Sequence, residues 1–269
     1  TGFRVRQMRP VARTDKATLE RVARKKEEKP HEKPQPDSLA PRDCHIRRRE
    51  IITNLPGTDG AQRTIGFVTP FFNACGFESK LRNVERFLAH YKWMEDRLLV
   101  VELAYGNQDF SLTGKTANLL QLRADSVMWH KENLMNLGTK VLRDKGYENV
   151  GYIDADLIMD GDGERWYLQL EEMMRELNTV QVFDSIIPMF SDYNKNAPGA
   201  AASHLRDKTP IEKCYRQGGG WVVRGDIWDR CGWYDRDIVG AADQSMLFAT
   251  FSPSPIIGKA PKVSSSPGY

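Results

Sequence analysis

Asp154 and Asp156 stand one residue apart, directly after the apolar run Asn149-Val150-Gly151-Tyr152-Ile153. Side chains at i and i+2 of an extended backbone share a face, so the pair presents two carboxylates in one direction. Such a pair can hold Mg²⁺ or Mn²⁺ and leave coordination positions open for phosphate oxygens. A reaction that expels a diphosphate needs a cation of this kind to take up the developing charge. Taken alone the pattern is weak, because two acids at this spacing also arise in any solvated turn after a strand. Asp160-Gly161-Asp162-Gly163 follows closely. It lacks the donor spacing and closing Glu of a calcium loop and reads as a polar turn.

Two later segments add to the first. Gly218-Gly219-Gly220-Trp221 places three glycines before a large flat ring. Glycines let backbone approach a ligand closely or bend without a Cβ clash, and a Trp face can stack on a sugar ring. The competing reading is a glycine-rich bend ending in a core Trp. No G-x-G-x-x-G cradle is formed, which disfavours a dinucleotide site. Farther on, Gly240-Ala241-Ala242-Asp243 sets a carboxylate at a predicted helix start. That Asp can be a simple N-cap, or the base that takes a proton from an attacking hydroxyl.

These residues need a scaffold, and the intervening pattern supplies one. The run 64–69 predicts a buried strand halted by Pro70, and apolar residues at helical spacing predict a helix over 78–92. A nearly all-apolar strand is expected over 97–103, and a helix through Leu134, Leu137, Val141 and Leu142 ends near Gly146. The strand 149–153 then delivers Asp154, a helix is expected over 166–177, and a strand over 180–183. Strand–helix alternation with short links predicts an α/β fold, a mostly parallel sheet flanked by helices. Ligands of such sheets bind beyond the C-terminal strand ends, where Asp154 and Asp156 fall.

The chain has 269 residues, 40% of them hydrophobic and 28% charged, enough for a sizeable core. No apolar run approaches the ~20 residues of a membrane-spanning helix. Cys44, Cys75, Cys214 and Cys231 lie far apart with no C-x-x-C, so zinc clusters and disulfide frameworks are disfavoured and a cytoplasmic setting is expected. Charge is uneven. Residues 1–63 carry sixteen Lys or Arg against nine Asp or Glu, leaving the rest at −4 within a net charge of +3. With the proline-rich stretch 30–36 and Arg47-Arg48-Arg49, this segment reads as a basic, partly irregular arm. Its competing roles are contact with a polyanion and a merely solvated leader. The expected division is an arm over 1–63, a domain over 64–250 and a Ser/Pro/Gly-rich tail over 251–269.

The ordered set of the strand 65–70, Glu102, Lys131 with Asn136-Leu137-Gly138, Asp154-Ala155-Asp156, Gly218-Gly219-Gly220-Trp221 and Gly240-Ala241-Ala242-Asp243 resembles GT-A glycosyltransferases. The likeness is to bacterial and viral members related to family 2 and to the galactosyltransferase catalytic core, and it covers about 64–250. It implies a GT-A fold and a metal-dependent hexosyltransferase that moves a sugar from a nucleotide-sugar donor, a UDP-sugar first of all, to an acceptor hydroxyl with inversion. The resemblance implies that Thr69 and Pro70 border the base and ribose and that Glu102 contacts one of them. Lys131 and Asn136 then shape the nucleotide site, while Asp154 and Asp156 bind ribose and a Mn²⁺ or Mg²⁺ ion. Gly219, Gly220 and Trp221 line the donor-sugar and acceptor floor, and Asp243 is the catalytic base.

This chain departs from the pattern at two points. Ala242-Asp243 stands where relatives carry two acids, and no histidine follows His204 to complete a metal site. Two other classes remain open. A sugar-phosphate nucleotidyltransferase would want a basic Gly-rich loop after the first strand, where Pro70-Phe71-Phe72-Asn73 stands. A nucleic-acid-associated protein recruited through the arm would bind with steep salt dependence, and a DNA-modifying glycosyltransferase would merge the two ideas.

Overall fold

The apolar runs become strands and the amphipathic runs helices in the computed structural model, which describes residues 3–6, 46–53, 55, 65–188, 217–236 and 242–251. In chain order these are β1 (Phe3–Arg6), β2 (Ile46–Thr53), β3 (Ile65–Phe72), α1 (Glu78–His90), a 3₁₀ turn (Lys92–Arg97), β4 (Leu98–Tyr105) and β5 (Asn118–Ala124). Then come α2 (Lys131–Asp144), β6 (Asn149–Ile153), β7 (Leu157–Met159), α3 (Gly163–Glu176), β8 (Thr179–Gln181) and β9 (Ser185–Pro188). After the undescribed stretch follow β10 (Gly220–Arg224), α4 (Gly225–Cys231) and α5 (Ala242–Phe251).

A seven-stranded sheet runs in the order β2-β5-β4-β3-β6-β10-β8. Strands β5, β4, β3 and β6 are mutually parallel, whereas β10 pairs antiparallel with both β6 and β8, and β2 antiparallel with β5. A smaller sheet has the order β7-β1-β9. The expected α/β class, a mostly parallel sheet with helices on both faces, is what the chain forms. On one face α2 lays Leu134, Met135 and Leu142 against Val68, Val101, Val150 and Tyr152. On the other, Phe87 of α1 and Trp166 and Leu170 of α3 meet Phe67, Ile153 and Val222. Each such side chain fully removed from water contributes about 1.5–3 kcal/mol. The close seat of α2 needs Gly138, where a Cβ would come within 2.7 Å of both Val68 and Val101.

The elements differ from the sequence pattern in several places. β3 does not stop at Pro70 but continues to Phe72. Its ladder to β6 ends at Val68↔Tyr152, so the missing donor of Pro70 has only the ladder to β4 to interrupt. Gly220-Trp221-Val222-Val223-Arg224 is a strand, with only Gly218 and Gly219 preceding it as a bend. The sheet also takes in Ile46–Thr53, and with it Arg47-Arg48-Arg49, from the segment set apart by its charge. Most of that segment, Gly240 and the tail 252–269 lie outside the described residues.

Candidate active site

The site is built where β6 ends. Alternation puts Tyr152 on the α2 face, in the same core cluster as Leu134, and Asp154 follows it on that side. The backbone turns at once, with Asp154 N–H donating to Gly219 carbonyl (2.8 Å) and Leu157 N–H to Asp154 carbonyl (3.1 Å). This ties the end of β6 to the glycine bend before β10. From above, the first residue of α2 reaches in. Lys131 Nζ lies 2.9 Å from Asp154 Oδ1, 3.0 Å from Oδ2 and 3.6 Å from Asp243 Oδ2. It also stands 5.3 Å from the centre of the Tyr152 ring.

Asp243 enters from the first turn of α5. Its Oδ1 accepts a 2.6 Å hydrogen bond from the Tyr152 hydroxyl. Its Oδ2 lies over Gly218, where a Cβ would come within 2.4 Å of that oxygen. Residues 131, 152–154, 218 and 243 therefore meet at one point on the C-terminal edge of the parallel strands. That is the edge where α/β sheets bind ligands.

Burial dominates the electrostatics. It holds the carboxyls of Asp154 and Asp156 above the ordinary range, and Asp243 and Asp156 add to the rise at Asp154 while Lys131 opposes it. Burial also pulls down on the Lys131 ammonium, but Asp154 and Asp243 overcome it and raise it. Glu132, beside Lys131, is pushed up to about 7 by burial, against a 2.8 Å hydrogen bond from the Trp129 indole N–H. The arrangement is a desolvated group of acids around one permanent cation.

Among the described residues, no group of three or more His, Cys, Asp or Glu is placed to surround a metal. Lys131 engages Asp154 and Asp243 through its ammonium and acts on Asp156 only through its field. Asp156 thus fits the role of a carboxylate ligand to a hard divalent cation, with Asp154 adding charge. One or two carboxylates suffice for Mg²⁺ when phosphate oxygens and water complete the shell.

The other predicted residues lie around this centre. Asn136 does not reach it directly. Its amide donates to Trp233 carbonyl (2.8 Å) and accepts from Trp233 N–H (2.7 Å). Thr69 is buried, its hydroxyl donating to Ile153 carbonyl (3.0 Å), and Pro70 is one residue farther along β3. Glu102 lies on the opposite sheet face from α2. There it accepts from Ser111 N–H (2.6 Å), Leu112 N–H (3.2 Å) and the Gln121 amide (2.8 Å), pinning the 106–117 loop to the sheet. Gly219 (φ +97°) and Gly220 leave room for Phe183 and Val182. Trp221 is buried in the α2-side core cluster, with its indole N–H on Gln217 carbonyl (2.6 Å).

Sequence reasoning missed Tyr152, Glu132 and a cavity of about 360 Å³ beside the site. The cavity opens past the ends of β3 and β4, lined among others by Phe72, Asn73, Cys75, Lys80, Tyr105 and Trp129. Phe72 and Trp129 meet edge to face at 5.7 Å, and the charge of Lys80 is felt at Asp156. The available signal was aromatic residues just beyond strand ends, which reads equally well as rim packing.

No protein-family model matches the sequence, and neither does any curated protein. Solved structures do. The mannosyltransferase PcManGT from Pyrobaculum calidifontis, in complex with GDP-Man and Mn²⁺, is 12% identical at a TM-score of 0.42, over 74% of this chain and 54% of its own. The S. aureus TarS fragment is 12% identical at a TM-score of 0.44, over 69% of this chain and 54% of its own. The chain thus spans about half the length of these matched structures. Likeness at this level carries no argument about its chemistry. No helix among the described residues is long and apolar enough to cross a membrane.

Proposed function

We propose that this chain is a glycosyltransferase of the GT-A type that moves a sugar from a nucleotide-sugar donor, a UDP-sugar first of all, to an acceptor hydroxyl. One observation carries the reading: Lys131, Asp154 and Asp243, three residues of the motif set, are linked through a single ammonium at the C-terminal sheet edge. The nucleoside fits the neighbouring cavity, where the rings of Phe72, Tyr105 and Trp129 offer faces and edges to a base. Thr69, Pro70, Glu102 and Asn136 then act on the donor through the strands, loop and helix they hold in place. Gly219, Gly220 and Trp221 likewise support Asp154.

In the proposed reaction Asp243 takes the proton of the acceptor hydroxyl while that oxygen forms a bond to the anomeric carbon. The bond from that carbon to the diphosphate oxygen breaks on the opposite side, which inverts the configuration. Lys131 keeps a positive charge between the carboxylates throughout. Asp156, with Asp154 near it, would hold a Mn²⁺ or Mg²⁺ ion, which supplies charge neutralisation for the departing diphosphate. The test is a donor screen across UDP-, GDP- and CMP-sugars with each metal, reading nucleotide release and acceptor modification. Turnover of one donor class is expected. Absence of both binding and turnover for every nucleotide-sugar sinks the reading.

A further inference from the structure

The Tyr152 ring fills a fully buried place in the core, and its hydroxyl ends on Asp243. For packing alone a Phe would serve as well, and it would spare a buried polar group. The hydroxyl therefore calls for a second explanation. It has one in the geometry of Asp243, whose two oxygens are treated differently. Oδ1 is held at 2.6 Å by Tyr152, while Oδ2 faces Lys131 at 3.6 Å over the open Cα of Gly218. The phenol itself cannot wander. The Trp233 ring meets it edge on at 5.2 Å. Trp233 in turn is fixed by both polar atoms of the Asn136 amide and by its indole N–H on Thr139 Oγ1 (2.9 Å). A chain of contacts from the body of α2 through Trp233 thus ends on one oxygen of Asp243.

We infer that Tyr152 is a positioning residue for Asp243: its hydroxyl fixes one carboxylate oxygen so that the other is aimed, over Gly218, at the proton to be removed. The inference rests on the proposed role of Asp243 as base. It adds a residue that acts only through that base and touches neither donor nor acceptor. Burial and the carboxylates around it hold the phenol's own proton, so the hydroxyl stays a donor across the working range. A carboxylate free to swing misaligns proton transfer, and a displacement of about 1 Å at a reacting group can cost up to roughly 10²-fold in rate.

The experiment is a double-mutant cycle in the full chain with Y152F and D243N, reading kcat, donor KM and Tm. Y152F should lower kcat roughly 10- to 100-fold with donor KM unchanged. In the D243N background the same change should have no further effect on kcat, because the group it acts through is already lost. An equal loss in both backgrounds, or a fall in donor affinity and Tm that accounts for the whole defect, overturns the inference and makes the bond structural. Full turnover in D243N alone removes the base assignment itself, a different failure. G218A is the second variant. It leaves the Tyr152 bond in place but drives a methyl against Oδ2, the end of a flexible side chain, so kcat should fall with little change in Tm. Unchanged kcat in G218A shows that the placement of Asp243 is unimportant and also overturns the inference.

Discussion

The ammonium of Lys131 straddles the carboxylate of Asp154, at 2.9 Å from one oxygen and 3.0 Å from the other, from the first position of α2. A lysine is poorly placed there by helix electrostatics, since the N-terminal end of the macrodipole is positive. The carboxylates of Asp154 and Asp243 reverse the balance. The same ammonium keeps the two acids in one site, where without it they would repel.

Replacing this lysine by an apolar residue of similar length exposes what it does. K131M leaves Asp154 desolvated and without its cation, which should cost about 3 kcal/mol in the folded state. The cost should depend on pH with a definite sign. Burial already raises Asp154 above its unfolded value, and loss of Lys131 raises it further. A carboxyl raised on folding binds its proton more tightly in the folded state, so stability falls as pH climbs from the unfolded value through the folded one. The Tm deficit of K131M should be small near about pH 4 and fully developed by about pH 8. A deficit independent of pH would show that lost packing, not lost charge, is responsible.

Asp156 separates the metal from the rest of the site. It lies outside the Lys131 bridge and its charge is already disfavoured by burial, so D156A should not lower Tm by more than about 2 °C. Transfer should drop below detection, because the departing diphosphate loses its neutralising cation. EDTA should produce the same loss in the wild type, with recovery on added Mn²⁺ or Mg²⁺. Full activity of D156A, or of the chelated enzyme, would take metal catalysis out of the proposal.

The cavity makes a claim about binding, not rate. Trp129 sits at its mouth, partly exposed, with its ring against Phe72 and its N–H on Glu132. Stacking of a base on an aromatic ring contributes about 1–3 kcal/mol. W129A should therefore raise the donor KM roughly 10-fold or more while kcat changes little. W129F keeps a ring and should recover most of the affinity, which separates stacking from the bond to Glu132. An unchanged donor KM in W129A would move the nucleoside elsewhere.

The path to Asp154 was legible in the sequence because an apolar strand and a strand-end position are local signals, whereas the shared face expected of the i/i+2 acid pair was not, since the chain turns over 154–157 with Leu157 N–H on Asp154 carbonyl. Asp243 at a helix start was legible from a local signal too. β2 was hidden by its own charge, since Arg47-Arg48-Arg49 on an edge strand looks like an arm when only composition is read. β10 was hidden because glycine signals a bend more strongly than Val222-Val223 signals a strand. The bond from Tyr152 to Asp243 joins residues 91 apart, and no local pattern announces such a pairing. Glu102 shows what a strand-end position does not announce: its carboxylate satisfies backbone N–H groups of the 106–117 loop.

Glu132 has no counterpart in the proposed chemistry. It is buried at the start of α2, held by the Trp129 indole N–H, and pushed up to about 7 by that burial. Its unfolded value lies near 4.5, so between these values the folded chain binds the proton and the unfolded chain does not. Stability from this group is therefore highest at low pH, declines as pH rises through the window and is flat above it. The full swing is of the order of 3 kcal/mol at 1.36 kcal/mol per pKa unit. E132Q keeps an oxygen for Trp129 and removes the charge, so it should be more stable than wild type at pH 8 and equal to it near pH 4.5. Chemical denaturation at a series of pH values measures the difference directly. A gap that stays constant with pH would mean that Glu132 holds its proton no more tightly in the folded chain than in the unfolded one, its burial offset by Lys131 and Trp129. A gap that opens between about pH 5 and 7 locates the desolvated proton on this side chain.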